Sequence, residues 1–236
     1  MSEKKINKIT YKIYFNDRLK QVSFHGEQTH PLYIQVTYER KSIFFKSYYF
    51  ELLSKPHYLL KIPGVGEKGP AVADCIEKEK QVIEFIIEKH KDDFSLDLFR
   101  GAYLYYSKDL CDIFQGGFIQ YMHTFFWDEG SPALGDVVLY GCKDVIAFDV
   151  LRSFERSFKP ELYKKLVGNA LYYAPPYIPV YGFMQELHRW PTKMLSVMEM
   201  NNQETILKFS EYLLKRYSDE DAATILKQVA DWQKYW

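Results

Sequence analysis

Long apolar runs, paired cysteines, one-sided charge and low-complexity tracts are all missing from this chain, and each absence removes a class of protein. No apolar stretch approaches the ~18 residues of a membrane span, and the opening MSEKKINK is charged where a secretory leader needs an apolar core. The expected address is the cytoplasm, with no membrane partner. Cys75, Cys111 and Cys142 are odd in number and widely separated, so neither a CxxC zinc knuckle nor a disulfide framework can be written, and they read as reduced, buried thiols. His25, His30, His57, His90, His123 and His188 show no HxH or HExxH spacing. The phosphate-loop pattern GxxxxGK[ST] is absent, since GVGEKGP sets its lysine between glycines with no Ser or Thr behind it. No metal and no cofactor is expected.

What is present is enough apolar surface for a substantial core. Of 236 residues 47% are apolar, with 20 tyrosines and 17 phenylalanines, which places the chain among globular proteins rather than disordered ones. The formal charge of zero hides a division. Residues 1–62 carry 11 Lys/Arg against 5 Asp/Glu, and residues 63–236 carry 20 against 26, so a basic head precedes a mildly acidic body.

Hydrophobic period then separates two architectures. In KITYKIYFN, Ile9, Tyr11, Ile13 and Phe15 alternate with Lys8, Thr10, Lys12 and Tyr14, the signature of a half-buried strand. After the polar stretch DRLKQVSFHGEQTH, read as a loop, PLYIQVTYER alternates again, with Leu32, Ile34, Val36 and Tyr38 opposing Tyr33, Gln35, Thr37 and Glu39. Arg40-Lys41 makes a tight, positively charged turn into a third strand, SIFFKSYYFEL. From Val72 the period becomes helical: Val72, Ile76, Val82, Ile83, Phe85, Ile86 and Ile87 recur on one side of a long helix. Three strands cannot cover their own apolar face, so part of this helix is expected across it.

The rest reads as helix. SLDLFRGAYLYYSKDLCDIF starts at the N-cap Ser95 and runs to a break at Gly116-Gly117, before FIQYMHTFFWD. EGSPALGD reads as loop, VVLYGCKDVIAFDVLRSFERSF as helix, and YYAPPYIPVYGF, with its three prolines, as an extended crossing. NQETILKFSEYLLKRY and DEDAATILKQVADWQKYW form two closing helices, the second capped by Ser218. The expected fold class is α+β: an N-terminal three-stranded antiparallel sheet packed on a helix, residues 1–71 with the connector, followed by a mainly helical domain, residues 72–236.

The order of strand, polar loop, HPLYIQVTYERKSIFFKS, connection and helix resembles the N-terminal arm-type DNA-binding domain of phage-integrase-like tyrosine recombinases, over residues 7–90 and chiefly 31–47. More faintly, FSLDLFRGAYLYY and the helices after it resemble the start of the helical core-binding domain of such enzymes. The resemblance implies a sheet lying in a groove of double-stranded DNA. Thr10, Lys12, Tyr14, Tyr33, Gln35, Thr37 and Lys46 then form the contacting face, Gln35 and Thr37 reading base edges, while Lys12, Arg40, Lys41 and Lys46 anchor phosphates. The catalytic half of that family is not matched: His188-Arg189-Trp190 lacks the His-x-x-Arg spacing, and Tyr235 stands near the end with no constellation to activate it. The implied role is a non-catalytic DNA-binding protein, an accessory or regulatory factor of a mobile element or phage.

Two further features need weighing. LLKIPGVGEKGPAVADCI comes close to a helix-hairpin-helix, in which Gly64, Val65 and Gly66 would offer backbone N–H groups to a phosphate at a helix start. The match is imperfect, because Pro70 stands where that motif has alanine, and a Gly/Pro cluster is ordinarily a connector. Asp92, Asp93 and Asp97, or Asp128, Glu129 and Asp136, could be imagined as nuclease carboxylates, but none is coupled to a lysine pattern suited to phosphodiester cleavage. The alternative to DNA binding is a protein-interaction adaptor. In it the stripes of ILKFSEYLLKRY and TILKQVADWQKYW dock a larger partner or support self-association.

Overall fold

Alternation and helical period both materialise, in separate parts of the chain. The computed structural model describes residues 8–62, 66–189 and 192–234, and it divides the chain into two compact units, residues 1–107 and 108–236. The division falls beyond the boundary drawn at residue 71, because the helices next in sequence belong with the sheet. The class is α+β, with a three-stranded antiparallel sheet leading into a helical body.

In the first unit β1 (Thr10–Phe15), β4 (Leu32–Tyr38) and β5 (Lys41–Lys46) form the sheet in the order β1-β4-β5. Register sorts the side chains. Ile13, Ile34 and Phe45 share one cross-strand row and Tyr11, Val36 and Ile43 the next, all on the inner side. Leu32, Ile34 and Val36 are fully buried there, each burial stabilising by roughly 1.5–3 kcal/mol. The polar stretch before β4 is not all loop: β2 (Val22–Phe24) and β3 (Glu27–Thr29) make a small hairpin around His25-Gly26, and Phe24 is buried against Phe50. The third strand is shorter than its β-rich sequence implies. Ser47 accepts the Phe50 N–H at 3.0 Å and starts a short helix, α1 (Tyr48–Leu53).

β6 (Leu60–Ile62) pairs antiparallel with β7 (Gly66–Lys68). Two helices then close the unit: α2 (Val72–Lys89) and α3 (Leu96–Tyr106), the latter capped by Ser95 as expected. Phe99 and Tyr103 of α3 meet Phe45 of the sheet at ring distances of 6.2 and 4.6 Å, and Phe94 meets Tyr38 at 5.0 Å. Tyr11 donates to Glu84 of α2 at 2.6 Å, so the inner face is covered by both helices.

The buried face of α2 contains a carboxylate, which apolar periodicity did not single out. Glu79 is fully buried and accepts hydrogen bonds from Ser47 Oγ at 2.6 Å, the Tyr49 N–H at 3.1 Å and Tyr103 Oη at 2.7 and 2.9 Å. Tyr103 Oη in turn accepts the Tyr48 N–H at 3.0 Å. One carboxylate thus binds the strand-to-helix corner after β5 to both covering helices.

The second unit is built around α4 (Leu110–Asp128), whose Phe114, Phe118, Met122 and Phe126 are buried at four-residue spacing. Around it lie α5 (Pro132–Gly141), α6 (Ala147–Ser157), α7 (Pro160–Tyr173) and α8 (Tyr177–Glu186). A short α9 (Val197–Met200) precedes α10 (Gln203–Leu214) and α11 (Asp219–Lys234), which pack on one another, Ser218 accepting the Asp221 N–H at the start of α11.

Four expectations change here. The helix does not break at Gly116-Gly117; it breaks at residues 107–109, where buried Asp109 caps α4 by accepting the Cys111 and Asp112 N–H groups and also takes the Leu195 N–H. EGSPALGD is only partly loop, since Pro132 starts α5 and Gly135 lets that helix close on α4: a Cβ there would lie 2.9 Å from the His123 carbonyl. Consequently VVLYGCKDVIAFDVLRSFERSF is two helices, parted at residues 142–146. The proline-rich crossing is helical from Tyr177. Pro175 and Pro176 precede α8, and Pro179 lies in its first turn, where no backbone N–H is required.

Two tests follow from this packing. A Cβ at position 117 would meet Pro175 Cγ at 2.5 Å, while position 116 has nothing within 4 Å. Gly117→Ala should therefore lower stability by about 1–3 kcal/mol, and Gly116→Ala should raise it by up to about 1 kcal/mol through helix propensity, as read by urea unfolding. For Glu79, burial pushes the carboxyl up to about 7 against the pull of its donors. Its stabilising contribution is then complete below the ordinary carboxyl range and lost as pH rises through about 7. Unfolding free energy should fall from about pH 5 to about pH 8 by up to roughly 3 kcal/mol from this group. Asp109, also pushed up to about 7 by burial, acts in the same direction, so the diagnostic result is a shallower profile in Glu79→Gln. An unchanged slope would show that Glu79 does not titrate in this window.

Candidate nucleic-acid interface

The outer side of the sheet gathers most of the predicted contact residues into three cross-strand rows. Thr10, Thr37 and Ser42 form one, Lys12, Gln35 and Phe44 the next, Tyr14, Tyr33 and Lys46 the third. Thr10, Lys12, Ser42, Phe44 and Lys46 are exposed, and Tyr14, Tyr33, Gln35 and Thr37 half-buried. This side follows from strand period: with Leu32, Ile34 and Val36 turned inward, their neighbours must turn outward.

The rows carry short-range order. Thr37 and Ser42 hydroxyls lie 2.7 Å apart, with the Gln35 amide at 3.4 and 3.5 Å from them. Lys12 Nζ sits 5.4 Å from the centre of the Tyr14 ring, whose centroid is 6.4 Å from that of Tyr33 at a 44° tilt. Lys46 pairs with Glu51 at 3.2 Å, an exposed bridge of the kind that exchanges readily with another anion. An open depression of about 580 Å³ lies over this surface, bounded by Lys12, Tyr14, Tyr33 and Phe44 and, beyond the end of β1, by Asn16 to Arg18.

The turn differs from expectation in one respect. Its central residues are Glu39 and Arg40, at φ of 50° and 63°, and Lys41 already pairs with Tyr38 in the ladder. Lys41 is exposed but belongs to the side of the pleat opposite Lys12 and Gln35. Positive φ at both central positions is the hairpin turn that matches strand twist, and it favours Asn-Gly over Glu-Arg. The hairpin tip therefore holds Arg40 in a strained backbone.

Gly64 and Val65 lie outside the described residues. Gly66, at φ of 104°, begins β7 and pairs with Ile62. Leu60–Ile62 and Gly66–Lys68 are strands, where a helix-hairpin-helix has helices. The start of α2 comes later, and there the Asp74 carboxylate takes the Ala71 N–H at 2.7 Å, occupying the position a phosphate would need.

The other residues weighed for chemistry are dispersed. Asp93 contacts His90, Asp136 contacts His123 at 3.2 Å, and Glu129 bonds Lys165. Arg189 is paired with Glu199, and Tyr235 lies outside the described residues. Among the described residues no three His, Cys, Asp or Glu side chains converge as a metal site would require, and no helix is long and apolar enough to cross a membrane. Sequence reading passed over Ser42 and Phe44 on this face, although their period-2 positions in SIFFKS already placed both on the wet side with Lys46. Compared with protein-family models, curated proteins and solved structures, the chain matches none.

The turn geometry is testable. Replacing Glu39-Arg40 by Asn-Gly should raise unfolding free energy by about 1–2 kcal/mol, because both residues tolerate positive φ. Absence of any gain in urea unfolding would mean that Glu39 and Arg40 are not strained.

Proposed function

We propose that the chain is a non-catalytic DNA-binding protein whose contact surface is the outer face of β1, β4 and β5, and that it serves as an accessory or regulatory factor of a mobile element or phage. The observation that carries this reading is the union of Lys12, Tyr14, Tyr33, Gln35 and Thr37 on one uncovered face, at the edge of which the Arg40 turn projects. The basic surplus of residues 1–62 supplies the long-range attraction for a polyanion. Lys12 and Arg40 serve as phosphate anchors. Gln35 and Thr37 present amide and hydroxyl groups suited to base edges in the major groove of double-stranded DNA. Strain kept at Glu39-Arg40 is intelligible if the tip must present an arginine rather than a glycine.

A second reading is favoured by one separate observation. On the helical unit Val137 and Tyr140 of α5 and Tyr172 and Tyr173 of α7 are each more than 60% exposed, large apolar groups of the kind found at protein interfaces. In that reading the helical body docks a protein partner, or a second copy.

Anisotropy titrations with a labelled duplex separate the two. DNA binding predicts affinity that falls steeply with salt; Lys12→Ala and Arg40→Ala should each weaken it several-fold and lower the slope of log affinity against log salt by about 1. Failure to bind any duplex at low salt would remove the reading, and a stable protein complex free of nucleic acid would favour the adaptor.

A further inference from the structure

We infer that the sheet face takes an unpaired base, with Phe44 and Tyr33 as stacking surfaces, so that the preferred partner is DNA carrying at least one base outside the duplex. This rests on the DNA-binding reading and narrows its substrate.

On the edge strand β5, Phe44 closes the otherwise polar row begun by Lys12 and Gln35, and it is 55% exposed. On the inner side of the same strand Phe45 packs against Phe99 and Tyr103, so apolar packing is already supplied by the neighbouring residue. Among the described residues no ring contacts Phe44, although aromatic contacts are abundant elsewhere in this unit. An apolar ring left in water on the contacting face forgoes the stabilisation it would gain by burial.

Its surroundings define what could cover it. Phe44 and Tyr33 are diagonal neighbours across β4 and β5, each within reach of a planar group lying between or upon them. Both border the open depression of about 580 Å³, a volume in the range of small-molecule sites. Tyr14 lines it too, with Lys12 placed near its ring, and Arg18 stands at the end beyond β1. Gln35 directs its amide nitrogen toward Thr37 and Ser42, which leaves its carbonyl oxygen as an acceptor for an exocyclic base amine. Asp17 contributes an anion at the same end, so the cations Lys12 and Arg18 carry the backbone contact.

Flat apolar rings beside cations and a fixed amide match a nucleobase with its phosphate. An aliphatic peptide would not use the cations, and a fully paired duplex, whose bases present only their edges, would leave the rings uncovered. Stacking also explains why an aromatic residue stands in this row: any base offers a π-face, and a ring receives it without a required donor pattern.

The test uses the full chain and three labelled DNAs: a paired duplex, the same duplex with one bulged 2-aminopurine, and the single strand. The bulged DNA should bind roughly tenfold more tightly than the paired duplex, with quenching of 2-aminopurine fluorescence as it stacks. Phe44→Ala should abolish the difference and the quenching by lowering affinity for the bulged DNA to that for the paired duplex, and Phe44→Tyr should restore both. Phe44→Leu, which keeps the apolar bulk without the ring, should behave like Ala. Equal affinity of the wild-type chain for bulged and paired DNA would overturn the inference while leaving the DNA-binding reading intact. So would loss of affinity for both in Phe44→Ala. Failure to bind all three would remove both.

Discussion

The carboxylate of Glu79 is the interaction on which residues 1–107 depend. Burying a carboxyl group costs several kcal/mol unless hydrogen-bond partners converge on it, and ionising it there costs more, which is why burial pushes Glu79 up to about 7. Here the donors come from Ser47, Tyr49 and Tyr103, parts of the chain far apart in sequence. Because Ser47 is also the cap of α1, the end of β5, the corner after it and both covering helices meet at one point. Cys75, one turn earlier on α2, is buried beside the same corner, and its thiol is pushed up to about 12 mainly by burial, so it acts as a packed apolar group.

This arrangement decides which side of the sheet can work. With Phe94, Phe99 and Tyr103 sealing the inner face, the outer rows are left as the surface the unit offers, and strand period guarantees that they are the polar ones. Two features of that surface run against stability: a hairpin turn made by Glu39 and Arg40 at positive φ, and Phe44 in the open. Local choices that oppose the fold without a structural benefit concentrate where function constrains the residue. Both lie on or beside the face proposed to contact DNA.

The helical unit obeys a different constraint, close approach. Gly117 receives Pro175, Gly135 receives the backbone of α4, and Gly182 faces the Tyr212 hydroxyl, where a Cβ would stand at 2.3 Å. At these three positions glycine is a slot for a neighbour. Read along the chain alone, the same residues resemble punctuation, and for that reason the break expected at Gly116-Gly117 appears instead at Asp109, whose caps bind residues distant in sequence. Pro179 is the converse case: a residue that usually ends a helix is accommodated in the first turn of α8.

By itself the sequence determined the class of each segment wherever one period ran long enough. Alternation over residues 8–16 and 31–46 specified the strands and their wet side, the i, i+3, i+4 pattern from Val72 specified α2, and Ser95 and Ser218 marked helix starts, because these signals arise from local geometry and need no partner. Tertiary structure alone decided what depended on residues far apart. It turned Glu79 inward, where a lone glutamate on a helix would ordinarily face water; it ended β5 at Ser47; and it put Glu39 rather than Lys41 beside Arg40 in the turn, leaving Lys41 on the opposite side of the pleat. Cross-strand register and the convergence of donors on a buried carboxyl group are pairwise quantities. They exist only once the chain has closed on itself, and no window of consecutive residues contains them.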